Sequence, residues 1–235
     1  MIYFNGDSYS AGRDLSSTDK AWPVKLAKMM QMPYINHAEP GSCNDRILRS
    51  TTNFIIENKS INMIVLANSF LTREEIWEKD AEFHNQIHSE EKKLGSKLVT
   101  SEFLEQKYGF KKYRKFINLE KQVCDYYQDV YSLTEICKRR DIKYFIFSAV
   151  SNLLGGGLWD NEVMDFVKNL NTYKELIKDP GFCDVNEFCL VDWATENDQK
   201  RHAVTDHLSE DGHDTFATYI HENYIKKLSK QNSQS

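Results

Sequence analysis

No stretch of this 235-residue chain approaches the roughly 20 apolar residues needed to cross a bilayer. The longest apolar runs are Met63 to Ala67 and Tyr144 to Val150, so a membrane-spanning helix is excluded. The N-terminus lacks the charged start and long apolar core of a secretory leader. Met1 passes directly into Ile2-Tyr3-Phe4 and a polar turn, and the expected location is the cytoplasm. Positive charge is not in excess: 30 Lys and Arg face 35 Asp and Glu, and a net charge of -5 gives no general reason to bind nucleic acid or an anionic membrane. The five cysteines are odd in number and scattered, which fits free thiols in a reducing compartment rather than a disulfide framework. Cys183 and Cys189 have no matching ligand pair for zinc, so no metal or other cofactor is expected. No Gly-x-Gly-x-x-Gly follows the first apolar run and no Walker-type loop is present. Gly155-Gly156-Gly157 lacks the phosphate-loop lysine, which argues against a flavodoxin-like nucleotide-binding protein. Internal repeats and extended low-complexity segments are also missing.

Apolar material for one core is present. Hydrophobic residues make up 40% of the chain and aromatics 12%, enough to bury a sheet between two helical layers. Short apolar runs at Ile2 to Phe4, Tyr34 to Asn36, Met63 to Ala67, Tyr144 to Val150 and Phe188 to Val191 read as five buried strands. Each after the first follows a stretch long enough for a crossover helix, the pattern of a parallel α/β sheet. Ala21 to Met30, Asp45 to Asn58 and Ser209 to about Leu228 carry apolar residues at helical spacing, the last with Phe216, Ile220, Tyr224 and Leu228 at steps of four. The expected organisation is a single domain over 1–235 with a helical insertion at about 72–118. That insertion is charged and rich in aromatics, and its place after the third strand makes it a candidate lid or substrate wall at the C-terminal edge of the sheet.

Two motifs at opposite ends carry the chemistry. Gly6-Asp7-Ser8-Tyr9-Ser10 follows the first strand, and Asp206-His207-Leu208-Ser209-Glu210-Asp211-Gly212-His213 precedes the last helix. A serine hydroxyl is a weak nucleophile at neutral pH until an imidazole takes its proton and a third group orients that imidazole. Ser8 and His207 suit the first two roles. Asp7 reads as a structural residue bonding backbone N–H groups in the nucleophile turn, and His213 as a structural or capping residue.

These residues resemble the SGNH, or GDSL-like, hydrolase family. The resemblance implies a three-layer α/β/α sandwich around a mainly parallel, five-stranded sheet. Gly6-Asp7-Ser8 matches the block in which serine is the nucleophile. Gly41 in Asn36-His37-Ala38-Glu39-Pro40-Gly41-Ser42 is similar to the glycine whose N–H enters the oxyanion hole, and Asn68 to the asparagine whose amide supplies another donor. The expected oxyanion hole is therefore Ser8, Gly41 and Asn68. His207 resembles the family's catalytic histidine. Many members place the triad aspartate three residues before it, where this chain has Val204; Asp206 lies directly beside His207 instead. Asp206 is the expected orienting acid if the local turn carries its carboxylate to the ring, with a Ser-His dyad as the alternative.

The resemblance implies an esterase acting through an acyl-enzyme intermediate on a small-molecule or glycan ester, with a small acyl or O-acetyl group as the default substrate. The alternative is a catalytically degenerate binding or structural module, for example of a phage particle, and virion association is the location that goes with it.

Overall fold

The structure, a computed structural model, describes residues 1–70, 75–78, 97–100, 119–150, 161–203 and 206–231. Six strands are formed among these residues: β1 (Ile2–Gly6), β2 (Tyr34–Asn36), β3 (Met63–Asn68), β4 (Glu75–Glu78), β5 (Lys97–Thr100) and β6 (Lys143–Ser148). The helices are α1 (Ser8–Ala11), α2 (Trp22–Met29), α3 (Asn44–Glu57), α4 (Leu119–Arg139), α5 (Asn161–Asn169), α6 (Asn171–Leu176), α7 (Leu190–Glu196), α8 (Glu210–Ile220) and α9 (Lys226–Gln231).

The main sheet has the order β2-β1-β3-β6, and every pair in it is parallel. Strands β1, β3 and β6 are buried on both faces, so they read as near-continuous apolar runs, and successive residues serve opposite layers, whereas the edge strand β2 is partly exposed. Ile2 and Phe4, Met63, Val65 and Ala67, and Phe145 and Phe147 pack with Trp22 and Leu26 of α2 and Phe216 of α8. Tyr3, Ile64 and Leu66, and Tyr144 and Ile146 pack with Ile47 and Ile55 of α3 and Val123 and Val130 of α4. Two helical layers therefore enclose one sheet, as expected from the pattern of short apolar runs.

The sheet has four strands rather than five. The apolar run Phe188 to Val191, expected to form the fifth, does not pair as a strand. Two isolated parallel bridges, Ile146 to Phe182 and Ser148 to Cys189, touch the β6 edge. Between them Asp184 bends the chain away: its carboxylate accepts the Asn186 N–H at 2.9 Å and its carbonyl the Phe188 N–H at 3.0 Å. Cys189 then caps α7, its Sγ accepting the Asp192 N–H. Leu190, Trp193 and Ala194 are buried at the i, i+3, i+4 spacing of a helix rather than the alternation of a strand.

Within the region 72–118, the described residues form β4 and β5, an antiparallel pair with Trp77 opposite Leu98. The expected helical insertion is corrected to strand at these residues; its remainder lies outside the described residues, as does Gly155-Gly156-Gly157. The last helix also departs from the expected four-residue steps. A π-helical turn, His221–Ile225, follows α8, and Ile225 rather than Tyr224 is the fully buried residue after Ile220. The extra residue per turn leaves Tyr224 stacked on Phe145, with centroids 4.6 Å apart.

Candidate active site

The parallel sheet explains how residues 199 positions apart meet. β1 is an inner strand, and α2 and α8 lie on the same face of it. Three contacts fix α8 against α2 and the turn just before it: the Trp22 N–H donates to His213 Nδ1 at 3.1 Å, Lys20 of that turn pairs with Glu210 at 2.7 Å, and Lys25 pairs with Asp214. His213 is thus a capping residue, though for the start of α2 rather than for its own helix. Burial first, then the charge of Lys25 and of His207, pushes its pKa down to about 4, which keeps the ring neutral and able to accept.

At the C-terminal end of β1 the chain turns sharply into α1. Gly6 makes this possible, because a Cβ there would come within 2.6 Å of Ser10 Oγ and 3.0 Å of the Ala67 carbonyl. Asp7 is the N-cap of α1. One carboxylate oxygen accepts the Tyr9 N–H at 3.1 Å, and the other accepts the Ser69 hydroxyl at 2.7 Å. Ser69 is fixed in turn by Asn44, which accepts its N–H at 2.7 Å and donates to its carbonyl at 3.0 Å. The turn carrying Ser8 is therefore tied to the ends of β3 and α3 through buried groups.

His207 Nε2 lies 2.9 Å from Ser8 Oγ. Both residues are buried. On the other side of the ring, Nδ1 lies 2.6 Å from Asp14 Oδ2. Tyr9 packs edge-on against the imidazole, with centroids 4.9 Å apart. With Nδ1 protonated and donating to Asp14, Nε2 is left as the acceptor facing the serine hydroxyl.

The acid on the imidazole is thus Asp14, and the expectation that Asp206 would orient His207 is corrected. Asp206 lies in the left-handed region, with φ of 59°, inside a tight loop where its N–H donates to the His202 carbonyl at 2.9 Å and the His202 N–H donates to the His207 carbonyl at 2.7 Å. This turn sends its carboxylate to Arg201, 2.8 Å away. Arg201 also donates to the Val191 carbonyl at 2.7 Å, so Asp206 braces the loop from outside. Asp14 is itself left-handed, with φ of 69°, in the polar turn that follows α1. Aspartate tolerates that conformation better than most residues. Nothing in its local pattern marks it; only the packing of α8 brings the ring to it.

The two other expected oxyanion residues lie at neighbouring strand ends. The loop after β2 runs along β1, with the His37 N–H on the Phe4 carbonyl at 2.9 Å and the Glu39 N–H on the Gly6 carbonyl at 3.2 Å. It carries Gly41, whose φ of 81° suits glycine. The fully buried Arg46 guanidinium holds this loop through the Ser42 hydroxyl at 3.1 Å, the His37 carbonyl at 3.3 Å and the Glu39 carboxylate at 2.9 Å. Asn68 ends β3, fully buried, and its Nδ2 lies 2.7 Å from the Tyr126 hydroxyl of α4. The roles of Asn44, Arg46 and Tyr126 in bracing these loops carried no motif in the sequence.

Among the described residues no group of His, Cys, Asp and Glu is arranged to hold a metal ion, and no helix is long and apolar enough to cross a membrane.

No protein-family model matches this chain, and no curated protein matches it in sequence. Its likeness is to solved structures. A lipolytic protein of the G-D-S-L family from Veillonella parvula is 14% identical, with a TM-score of 0.51 over 95% of this chain and 97% of that one. The psychrotrophic esterase EstA from Pseudoalteromonas sp. is 10% identical, with a TM-score of 0.51 over 97% and 98%. The acetyl xylan esterase AlAXEase is 10% identical, with a TM-score of 0.50 over 94% and 98%. At these identities the likeness establishes the fold, an SGNH/GDSL-like α/β fold with a four-stranded parallel sheet.

Proposed function

We propose that this SGNH-like chain is a serine esterase in which Ser8 is the nucleophile, His207 the general base and acid, and Asp14 the group that orients His207. The observation that carries the reading is the continuous chain from Ser8 Oγ to His207 Nε2 at 2.9 Å and from His207 Nδ1 to Asp14 at 2.6 Å. A buried serine and imidazole at hydrogen-bond distance, with a carboxylate on the far ring nitrogen, is the arrangement that nucleophilic acyl transfer requires.

In the first step Ser8 Oγ attacks the ester carbonyl carbon while its proton passes to His207 Nε2. The carbonyl oxygen takes up negative charge, and Asp14 offsets the positive charge now on the ring. When the tetrahedral centre collapses, the carbon–alkoxy bond breaks and the leaving oxygen takes the proton from Nε2. Water then repeats the sequence on the acyl-serine, with His207 removing its proton, and the acid is released as Ser8 is restored.

The oxyanion would be held by backbone N–H groups of Ser8 and Gly41 and the side-chain amide of Asn68. Ser8 is the first residue of α1, where an N–H has no intrahelical acceptor. Each such donor is worth ~10²–10³ in rate where it has been removed from other enzymes. A small acyl or O-acetyl ester of a small molecule or glycan is the substrate class we assign, in keeping with the esterase names among the structural relatives. The test is turnover of p-nitrophenyl acetate by wild type and by Ser8→Ala. Ser8→Ala should remove hydrolysis while the folded protein melts at nearly the wild-type temperature, and equal turnover by both proteins would place the activity elsewhere.

A further inference from the structure

We infer that Tyr126 is a positioning residue of the oxyanion hole, its hydroxyl fixing which way the Asn68 amide points. The inference rests on the esterase reading above and adds to it a residue from α4. Asn68 has no exposed surface, and its polar atoms must find partners within the protein. Its Nδ2 lies 2.7 Å from the Tyr126 hydroxyl, while its Oδ1 is buried with no hydrogen-bond partner among the described residues. With its carbonyl oxygen orphaned, this arrangement becomes the less favourable of two nearly isosteric ones once an acceptor develops beside that oxygen, because the tyrosine hydroxyl can donate as well as accept. Turning the amide by 180° about its terminal torsion places Oδ1 on the Tyr126 O–H and leaves both N–H bonds of Nδ2 for another acceptor.

The hydroxyl is fit to donate. Tyr126 is itself buried, and its pKa is driven upward chiefly by that burial and then by the charge of Asp184, so it stays protonated across the working range. The place is also right. Asn68 is the last residue of β3, paired with Ser148 of β6, and the next residue, Ser69, bonds the Asp7 carboxylate directly before Ser8. An acceptor that develops on the substrate carbonyl gives Nδ2 the partner it lacks in the turned orientation. Tyr126 then acts only through Asn68: it holds the carbonyl end so that the donor end faces the oxyanion.

The experiment is a two-residue cycle in the full chain, with Tyr126→Phe, Asn68→Ala and the double variant assayed on p-nitrophenyl acetate. Each is checked by thermal melting and by fluorophosphonate labelling of Ser8. Tyr126→Phe should lower kcat about 10-fold, less than the ~10²–10³ expected for losing the donor itself, with KM within about 2-fold. In the Asn68→Ala background the same change should cost nothing further, because the group it positions is gone. A second readout covers the case in which Tyr126→Phe folds poorly: in the wild-type phosphonate adduct, an Asn68 side-chain N–H resonance should move downfield, as expected for a new bond to an oxyanion. Unchanged or raised kcat in folded Tyr126→Phe, an equal loss in both backgrounds, or a silent Asn68 amide in the adduct would overturn the assignment while Ser8 labelling kept the esterase reading intact. A wild type that neither labels nor turns over would remove the esterase reading and this inference together.

Discussion

Asp14→Asn separates the acid that the geometry selects from the one beside His207 in the sequence. The carboxylate lies 2.6 Å from Nδ1, and its side chain is 25% exposed while that of His207 is 8% exposed. Unit charges about 4 Å apart, centre to centre, interact by about 1 kcal/mol in bulk water and about 4 kcal/mol at the effective dielectric near a protein surface. A buried ring against a quarter-exposed carboxylate belongs toward the upper figure. Losing about 2–4 kcal/mol of imidazolium stabilisation corresponds to a ~30- to ~10³-fold fall in kcat/KM. The amide can in addition donate to Nδ1 and favour the tautomer that points a proton at Ser8, which adds to the loss. Asp206→Asn is the matched control: asparagine tolerates its left-handed backbone, and only the bond to Arg201 changes, so kcat/KM should stay within about 3-fold of wild type. The assay is initial-rate hydrolysis of p-nitrophenyl acetate over a range of pH by folded proteins. Near-wild-type turnover by Asp14→Asn, together with a loss of tenfold or more in Asp206→Asn, would refute the reasoning.

Three further outcomes concern the scaffold. His213 has its folded pKa near 4 against an ordinary 6.5, so between these values the unfolded chain binds a proton that the folded one lacks. Stability is then complete above about pH 6.5 and falls by about 3 kcal/mol as pH approaches 4. His213→Asn, which keeps an acceptor for the Trp22 N–H, should flatten that fall in urea titrations at pH 4.5 and 7. Arg46→Met leaves the His37 carbonyl and Ser42 hydroxyl without their buried donor and Glu39 without its cation, and should lower unfolding free energy by about 2–3 kcal/mol in the same assay. Gly6→Ala forces a Cβ against Ser10 and the Ala67 carbonyl, and should cost about 1–3 kcal/mol with a loss of turnover, because the turn that must shift is the one carrying Ser8.

The parts of this fold that could be read from sequence are those in which local pattern and tertiary role coincide. Strands β1, β3 and β6 are buried on both faces and appear as unbroken apolar runs, and Ser8 and His207 stand at recognisable places beside a strand and a helix. Phe188 to Val191 is ambiguous in sequence, because a short apolar run fits a strand or the first turn of a buried helix equally well, and the Asp184 turn decides between them. Asp14 was illegible for a different reason. It sits in Gly12-Arg13-Asp14, a stretch with no periodicity, and its partner is 193 residues away. Adjacency in sequence favoured Asp206, but a positive φ at that residue turns its carboxylate outward to Arg201. Tyr126 belongs to the apolar face of α4 by its spacing, and only its 2.7 Å approach to Asn68 distinguishes it from a core tyrosine.

The most direct test of the central claim, that His207 activates Ser8 for covalent chemistry, is peptide mapping by mass spectrometry after exposure to a fluorophosphonate. Wild type should form one phosphonyl adduct, on Ser8, and folded His207→Ala should lose it or form it far more slowly. An adduct on another serine, or wild type that stays unmodified while fully folded, would contradict it.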